Sequence, residues 1–295
     1  MMTLCCKLSL KLPIFTSRYI EAAEVYISSL LPSPRTVLSL LAKGIGELNE
    51  LSPEEEEDGI RVADILMWAV ERSSYAFVKP TSSLCRSSRL WRIKHITEPW
   101  IVARGLDSIP DAVVEEVVSL SSLDIYYLLN LDKLNESLKN SLGKYKKAMI
   151  SLNEKDIKKA LLTNKRVGNT ECLSSQLEEP TLLRIEETDE PYSDVYVPLD
   201  WIEGFKEGTV EDLYISVSLF NKDLTLNEFK KGLKDIRTKK LKFLLPLRVK
   251  SGKATERPGR LVWHEFCRLE IRKKEGYEVY KAEDGTFMLI PSCGI

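Results

Sequence analysis

The sequence predicts an α+β fold, and three patterns in its N-terminal part carry that prediction. Apolar side chains occupy every second position from Leu4 to Leu12, which is the period of a half-buried strand. Apolar residues at helical spacing follow over residues 37 to 48, and residues 123 to 129 again form an apolar, strand-like segment. With a helix predicted over 153 to 162 and an extended segment up to residue 183, the order of elements is compatible with a ferredoxin-like β-α-β-β-α-β domain.

The C-terminal part has a different pattern. Strands are predicted at 214 to 220 and 241 to 249, with a short helix over 226 to 236 between them. Residues 283 to 285, Glu-Asp-Gly, predict the turn of a hairpin that spans 270 to 290. This part is therefore expected to be mostly β-structure.

The length of 295 residues favours one or two domains. We expect a ferredoxin-like domain over residues 1 to 190, which carries a basic insertion around 72 to 120. The second part, residues 191 to 295, is expected to be a smaller β-rich domain.

The composition excludes several classes of function. The net charge is -1, so any nucleic-acid site depends on local clusters of basic residues. The six cysteines lack the C-x-x-C spacing of zinc or redox sites, which favours reduced structural thiols and a cytoplasmic location. The two histidines, His95 and His264, are too few for the usual metal or triad chemistry, so neither metal nor cofactor is expected, and His264 is interpreted as structural. No apolar segment has the length of a membrane span, and the first residues lack the order of a signal peptide.

Residues 72 to 104 form the clearest local charge asymmetry in the chain. Seven basic residues stand against one acid, Glu98, and four aromatic residues are interleaved with them. Arginine and lysine neutralise phosphates, and aromatic rings stack on unpaired bases, so the segment is a candidate RNA-binding element. The alternative is a solvated hairpin whose arginines pair with acids elsewhere in the chain.

Two further segments are candidate phosphate sites. Ser33 and Pro34 have the residue types of an N-cap and a first helical residue, and Arg35 adds a positive charge at this helix start. A well-capped core helix explains the same residues. Residues 165 to 169, Lys-Arg-Val-Gly-Asn, either let the backbone approach a nucleotide at Gly168 or end the preceding helix there.

Four stretches, in order along the chain, resemble the Cas five family of CRISPR-associated RAMP proteins, and within it the archaeal type I-A branch. They are the helix start Leu31-Pro-Ser-Pro-Arg-Thr, the segment Asp111-Ala-Val-Val-Glu-Glu-Val-Val, the loop Arg166-Val-Gly-Asn-Thr-Glu-Cys-Leu-Ser-Ser, and Phe243-Leu-Leu-Pro-Leu together with the terminal Leu289-Ile-Pro. The second stretch departs from the family pattern, because Glu115 replaces a basic residue and Val117 a tyrosine.

The resemblance implies a ferredoxin-like (RRM/RAMP) domain in which the basic insertion is a thumb. It implies a non-catalytic subunit of a CRISPR surveillance (Cascade) complex that binds the 5′ repeat-derived handle of the CRISPR RNA and caps the filament of backbone RAMP subunits. The large Cascade subunit would be a further partner, target DNA an indirect one, and no membrane would be involved. The residues expected to contact RNA are Arg18, Tyr19, Ser33, Arg35, Thr36, Arg72, Lys79, Arg86, Arg89, Arg92, Lys94, His95, Lys165, Arg166, Gly168 and Asn169.

Two alternatives remain at this point. The type I-C branch of the same family is a metal-independent ribonuclease that processes precursor CRISPR RNA with Tyr, Lys and His, and Lys94 and His95 are adjacent here. In an extended segment, however, neighbouring side chains point to opposite faces. The other alternative is a general RNA-binding module, which would need neither partner subunits nor a defined 5′ handle.

Overall fold

The computed structural model describes residues 3–16, 25–26, 28–57, 59–96, 109–142, 151–163, 167, 173–215, 223–229, 231, 240–251 and 262–292. For residues 25–26, 88–96, 109–115, 214, 240 and 251 the description is of the backbone. No helix within these ranges is long and apolar enough to cross a membrane.

The elements of the N-terminal part alternate between strands and helices. The strands are β1 Thr3–Lys11, β2 Val25–Tyr26, β3 Glu56–Glu57, β4 Ile60–Arg61, β5 Ser74–Pro80, β6 Leu84–Ile96, β7 Ile109–Leu120, β8 Ser122–Asn130, β9 Ser175–Gln176 and β10 Thr181–Leu183. The helices are α1 Pro34–Leu48, α2 Val62–Ser73, α3 Leu131–Leu142 and α4 Glu154–Leu162.

The C-terminal part is built almost entirely of short strands. They are β11 Ile185–Thr188, β12 Tyr192–Ser193, β13 Val197–Pro198, β14 Ile202–Phe205, β15 Thr209–Tyr214, β16 Lys240–Leu245, β17 Leu247–Ser251, β18 Val262–Phe266, β19 Leu269–Lys273, β20 Tyr277–Ala282 and β21 Phe287–Pro291. A single 3-10 turn, Leu199–Trp201, precedes β14, and residues 226 to 229 are helical.

The main sheet has the strand order β10-β1-β8-β5, with β9 also paired to β1, and all of these pairs are antiparallel. Strand β1 pairs with β8 along its whole length, from Thr3↔Asn130 to Lys11↔Ser122. The alternation predicted for β1 is confirmed, since Leu4, Leu8 and Leu10 are buried whereas Lys11 is exposed. Chain order thus gives strand β1, two helices, strands β5 and β8 separated by the β6–β7 hairpin, two helices, and the short strands β9 and β10.

Helix α1 begins where the sequence predicts. The side chain of Ser33 accepts a hydrogen bond from the backbone N–H of Thr36 at 3.3 Å, and Pro34 is the first helical residue, so the N-cap prediction is confirmed. Tyr127 on β8 donates from its hydroxyl to the carbonyl of Val37 at 2.9 Å, which fixes α1 against the sheet. Glycine is required at position 44, because a Cβ there would lie 1.9 Å from the carbonyl oxygen of Ala160 on α4.

Two element boundaries are set by hairpins. Helix α2 begins at Val62, because Ile60 and Arg61 pair with Glu57 and Glu56 in a small hairpin. The C-terminal hairpin is confirmed with its turn at 283 to 285, where Gly285 has φ 82°, although its first strand begins only at Tyr277.

One strand prediction in this part is corrected, and another falls mostly outside the described residues. The strand predicted at 214 to 220 is described only to residue 215, and the strand found before that point is Thr209–Tyr214. The strand predicted at 241 to 249 is divided at Pro246 into β16 and β17. This division follows from proline, which has no N–H to donate to a sheet ladder.

A second five-stranded sheet joins distant parts of the chain in the order β17-β18-β6-β7-β2. Strand β18 pairs with the start of β6, with Val262 opposite Arg86 and His264 opposite Leu84. The basic insertion is therefore continuous with the C-terminal strands through backbone hydrogen bonds.

The main sheet is covered on both faces. Helices pack on one face, and aromatic residues of the C-terminal part pack on the other. Tyr196 donates to the carbonyl of Ala76 at 2.9 Å and lies 6.3 Å from Phe77, centroid to centroid, while the ring of Trp201 meets Tyr75 edge-on at 5.9 Å. Every residue of β8 after Ser122 is buried as a result.

Candidate nucleic-acid interface

The β6–β7 hairpin is the most extended feature of the described chain. Its strands have 13 and 12 residues, and they pair from Leu84↔Leu120 out to Ile96↔Ile109. Four of the basic candidates lie on β6: Arg86, Arg89, Arg92 and Lys94. The backbone of Arg89 is paired with Glu115, and that of Arg92 with Ala112. The structure therefore carries this part of the basic segment along one strand of a long ribbon.

Lys94 and His95 lie where the ribbon is irregular. The pairing shifts between Ile93 and Ile96, so neither residue has a regular partner in β7. Their backbone is part of β6, and their side chains lie outside the description.

Arg86 is already engaged by carboxylates at the base of the hairpin. It forms an ion pair and hydrogen bond with Glu211 on β15, and its Nε lies 3.9 Å from Glu116 on β7. Glu211 also accepts from the backbone N–H of Leu30 at 2.8 Å, and Glu116 accepts from that of Ser28 at 3.2 Å. For this residue the geometry agrees with the alternative interpretation, in which hairpin arginines pair with acids.

The carboxyl of Glu211 depends on that arginine. Its side chain is 11% exposed, and burial raises its pKa even though Arg86 and the N–H of Leu30 act in the opposite direction. A carboxylate in such a position is costly without a cation beside it.

Lys79 and Arg72 are also held by intramolecular contacts. Lys79 donates to the hydroxyl of Thr286 at 2.9 Å, lies 4.0 Å from Asp194, and sits over the ring of Phe266, 5.7 Å from its centroid. The guanidinium of Arg72 lies over the ring of Trp68, 5.0 Å from its centroid. These two side chains belong to the packing of the domain.

Lys79 is part of a polar network between the main sheet and the C-terminal hairpin. Lys7 lies 3.0 Å from both Asp124 and Asp284, and Tyr126 donates to Asp284 at 2.8 Å. Burial opposes the charges, but the hydrogen bonds outweigh it, so the pKa of Asp284 is lowered and that of Lys7 is raised.

The polar groups at the start of α1, a candidate phosphate site, are largely engaged within the protein. The hydroxyl groups of Ser33 and Thr36 are 3.0 Å apart, and Ser33, which is 3% exposed, already accepts from the N–H of Thr36. Arg35 is half-buried and lines a cavity of about 420 Å³ between α1 and α2, together with apolar residues such as Leu66 and Met67. Its Nη1 atom is buried without a hydrogen-bond partner in the described ranges.

His264, Cys5 and Cys6 are buried, which suits a structural role. His264 on β18 is 5% exposed, and burial, reinforced by Arg86, lowers its pKa to about 4, so it is neutral at pH 7. Burial raises the pKa of Cys5 and of Cys6 to about 12, which makes both thiols poor nucleophiles. Within the described residues no three metal-ligating side chains are grouped.

Six of the expected RNA contacts lie outside the described residues: Arg18, Tyr19, Lys165, Arg166, Gly168 and Asn169. Val167, between two of them, is buried. Among the candidates within the described ranges, the basic residues of β6 share one strand, whereas Lys79 is on β5 and Arg72 is near the end of α2. Sequence reasoning overlooked Glu211 as the partner of Arg86, because the two are 125 residues apart and no local pattern links them.

Comparisons with known proteins give limited information. No family model and no curated protein matches the chain. Among solved structures, the crystal structure of a CRISPR protein from Archaeoglobus fulgidus aligns over 98% of this chain and 99% of that one, with 12% sequence identity and a TM-score of 0.42. At this level of agreement the neighbour assigns neither a fold nor an activity to the chain.

Proposed function

We propose that this protein is a non-catalytic RNA-binding subunit of a type I CRISPR surveillance complex. In this proposal it holds the 5′ repeat-derived handle of the CRISPR RNA and caps the filament of backbone RAMP subunits, next to the large subunit. The observation that supports RNA binding is the β6–β7 hairpin, a long ribbon with Arg89, Arg92 and Lys94 along one strand. The subunit's place in the complex rests on the four stretches that resemble the Cas five family.

The strand order supports the ferredoxin-like part of the proposal. Taking β1, β5, β8 and β10 as the four strands of the plan, their order in the sheet is fourth, first, third, second, and all neighbours are antiparallel. The helical connections β1 to β5 and β8 to β10 are in the places expected of a β-α-β-β-α-β domain. Each contains two helices, where the plan has one.

The position of the RNA follows from which surfaces are free. RNA-recognition domains of ferredoxin-like plan stack bases on the open face of the sheet. Here that face is filled by Tyr196 and Trp201 and by the polar network around Asp284. RNA is therefore expected on the hairpin rather than on the main sheet.

The proposal of a non-catalytic role has a physical basis in the histidines. His264 is 5% exposed, and burial and the charge of Arg86 lower its pKa to about 4, so it is neutral at pH 7 and out of contact with bulk solvent. Lys94 and His95 leave the alternative of a metal-independent ribonuclease open to test. Purified protein incubated with precursor repeat RNA in EDTA is expected to leave the RNA intact. A product with a 2′,3′-cyclic phosphate end, lost in His95→Ala, would establish the nuclease instead.

RNA binding is tested on the complex reconstituted with its backbone subunits and a guide RNA. We expect the double variant Arg89→Ala, Arg92→Ala to bind the guide more weakly. We also expect a shallower salt dependence: the slope of the logarithm of the RNA-binding constant against the logarithm of the salt concentration should fall by roughly 0.7 per lost phosphate contact. Lys242→Ala, which removes a charge from the separate strand β16, is the matched control. Equal affinity and equal slope in a folded double variant would remove the hairpin from the RNA site.

Dependence on the handle separates the proposed subunit from a general RNA-binding module. We expect the reconstituted complex to lose affinity when the 5′ handle is replaced by a scrambled sequence of equal length. Equal binding of both RNAs by the isolated protein would favour the general module.

A further inference from the structure

The second sheet has one largely buried face and one partly exposed face. On the second face Ser119 and Trp263 are exposed, whereas Cys85 and Val117 are each 6% exposed. Leu84, Val118, Leu120 and His264 alternate on its inner face, where all are at most 5% exposed. On the outer face, Trp263 of β18 is in register with Cys85 of β6, which in turn is in register with Ser119 of β7. Trp263 is 44% exposed, whereas Trp68 and Trp201 are buried.

Trp263 is surrounded by polar and small residues rather than by an apolar patch. Ser119 is exposed beside Cys85. On the neighbouring strand β17, Arg248 pairs with Glu265 at 2.8 Å, and Lys250 lies 3.8 Å from the same carboxylate. Protein interfaces are centred on contiguous apolar surface, which this face lacks.

We propose that Trp263 is a stacking residue for an unpaired base of the bound RNA. This inference rests on the proposed function and extends its RNA site from the hairpin to the C-terminal part. A flat indole on a partly exposed sheet face is a suitable platform, because every base has a π-face and aromatic stacking tolerates any sequence. The corresponding face of the main sheet is filled, so a base is expected to stack on the second sheet instead.

Trp263 is also continuous with the hairpin. Its register partner Cys85 is at the base of β6, and Arg89 follows four residues further along the same strand, an even spacing that puts both positions on one face of the sheet. At a rise of about 3.3 Å per residue the two positions are roughly 13 Å apart. One RNA strand can therefore run from the Arg89 position to a base stacked on Trp263.

The charges around Trp263 predict how its contribution depends on salt. Arg248 is already held by Glu265 and, at 3.5 Å, by Glu207, so the nearby cations and carboxylates are balanced. Stacking on Trp263 is thus expected to be insensitive to salt, in contrast to phosphate contacts on the hairpin.

The test uses the full chain and a single-stranded adenosine 12-mer RNA, with an abasic 12-mer as the second probe. Trp263→Ala is expected to bind the adenosine RNA about tenfold more weakly at both low and high salt. Trp263→Phe should retain most of the affinity, and both variants should bind the abasic RNA as the unmodified protein does. Phe205→Ala is the matched control, since Phe205 is also 44% exposed but lies on β14, in a different sheet.

Three outcomes would overturn the proposal. The first is unchanged affinity of Trp263→Ala for the adenosine RNA while the unmodified protein binds it. The second is an equal loss on the abasic RNA, which would mean that the indole supports the fold or a phosphate contact. The third is unchanged RNA binding with loss of the backbone subunits from the reconstituted complex, which would make Trp263 a protein contact. Absence of adenosine RNA binding by the unmodified protein would also overturn the proposal for Trp263, whereas the proposed function fails only if the reconstituted complex does not bind the guide RNA.

Discussion

The two five-stranded sheets of this protein differ in how their faces and their basic residues are used. In the main sheet both faces are covered, and the cations that point away from the helices, Lys7 and Lys79, neutralise buried or half-buried acids. In the second sheet Trp263 is exposed on one face, and the basic positions Arg89, Arg92 and Lys94 lie along β6. A basic residue in a strand is therefore informative about ligands only when its surroundings are known.

The largest effect is expected at the buried carboxylate beneath the covered sheet. Asp194 has no exposed side-chain surface, and it accepts two hydrogen bonds from Arg268, at 2.8 and 3.2 Å, and one from the N–H of Phe287 at 3.0 Å. Asp194→Ala leaves a buried N–H and a guanidinium without their acceptor. It should lower the free energy of unfolding by about 3 to 4 kcal/mol in urea melts.

The exposed Asp189 is the control for that variant, and Asp189→Ala should change stability by less than about 0.5 kcal/mol. Similar values for both variants would mean that the C-terminal part contributes little to the stability of the main sheet.

A smaller loss of stability is expected from a substitution at the base of the hairpin, and almost none from one further along it. Arg86→Ala leaves Glu211 buried without its cation, and we expect a loss of roughly 2 to 3 kcal/mol at pH 7, less than for a fully buried pair because Arg86 is 25% exposed. Arg89→Ala should leave the free energy of unfolding within about 0.5 kcal/mol of the unmodified protein.

The pH dependence of Arg86→Ala provides a second check. The pKa of Glu211 is already raised in the folded protein, and removal of Arg86 raises it further. The neutral acid is then favoured in the fold, so the destabilisation should shrink as the pH is lowered from 7 to 5. A loss that is independent of pH would contradict the account of Glu211 as a buried charge.

The smallest effect is expected in the polar network at the C-terminal hairpin. Asp284 has a lowered pKa in the fold, so its stabilisation is present above its unfolded pKa of about 3.8 and disappears as the pH falls through the folded value. Asp284→Asn should cost about 1 to 2 kcal/mol at pH 7 and should flatten the stability curve below pH 4. Thermal melts between pH 3 and 7 measure both, with Asp189→Asn as the control.

Local patterns predicted most of the elements that depend on local physics. The alternation in β1, the cap of α1 by Ser33, and the helix after Asn153 were all predictable, since each is decided within a few residues. The pairing of Arg86 with Glu211 was not, because the contact depends on how β6 and β15 are brought together by the tertiary fold.

The exposure of Trp263 could not be predicted from the sequence either. Alternation along β18 shows which residues share a face, but which face is covered depends on how the sheet packs against the rest of the chain. For the candidate site as a whole, the sequence identified the basic hairpin but not which of its residues are engaged by acids. The ferredoxin-like plan and the division near residue 190 stay predictions.

The pairing of β18 with β6 has a consequence for how the protein is made. The start of the hairpin, at residues 84 to 86, acquires its neighbour only from residues 262 to 264. During synthesis this edge of β6 therefore lacks its partner until residues 262 to 264 have left the ribosome. Contacts of such sequence separation form slowly. An unpaired strand edge is a site of intermolecular association, so truncation before residue 262 should yield a nascent chain that depends on chaperones to stay unaggregated.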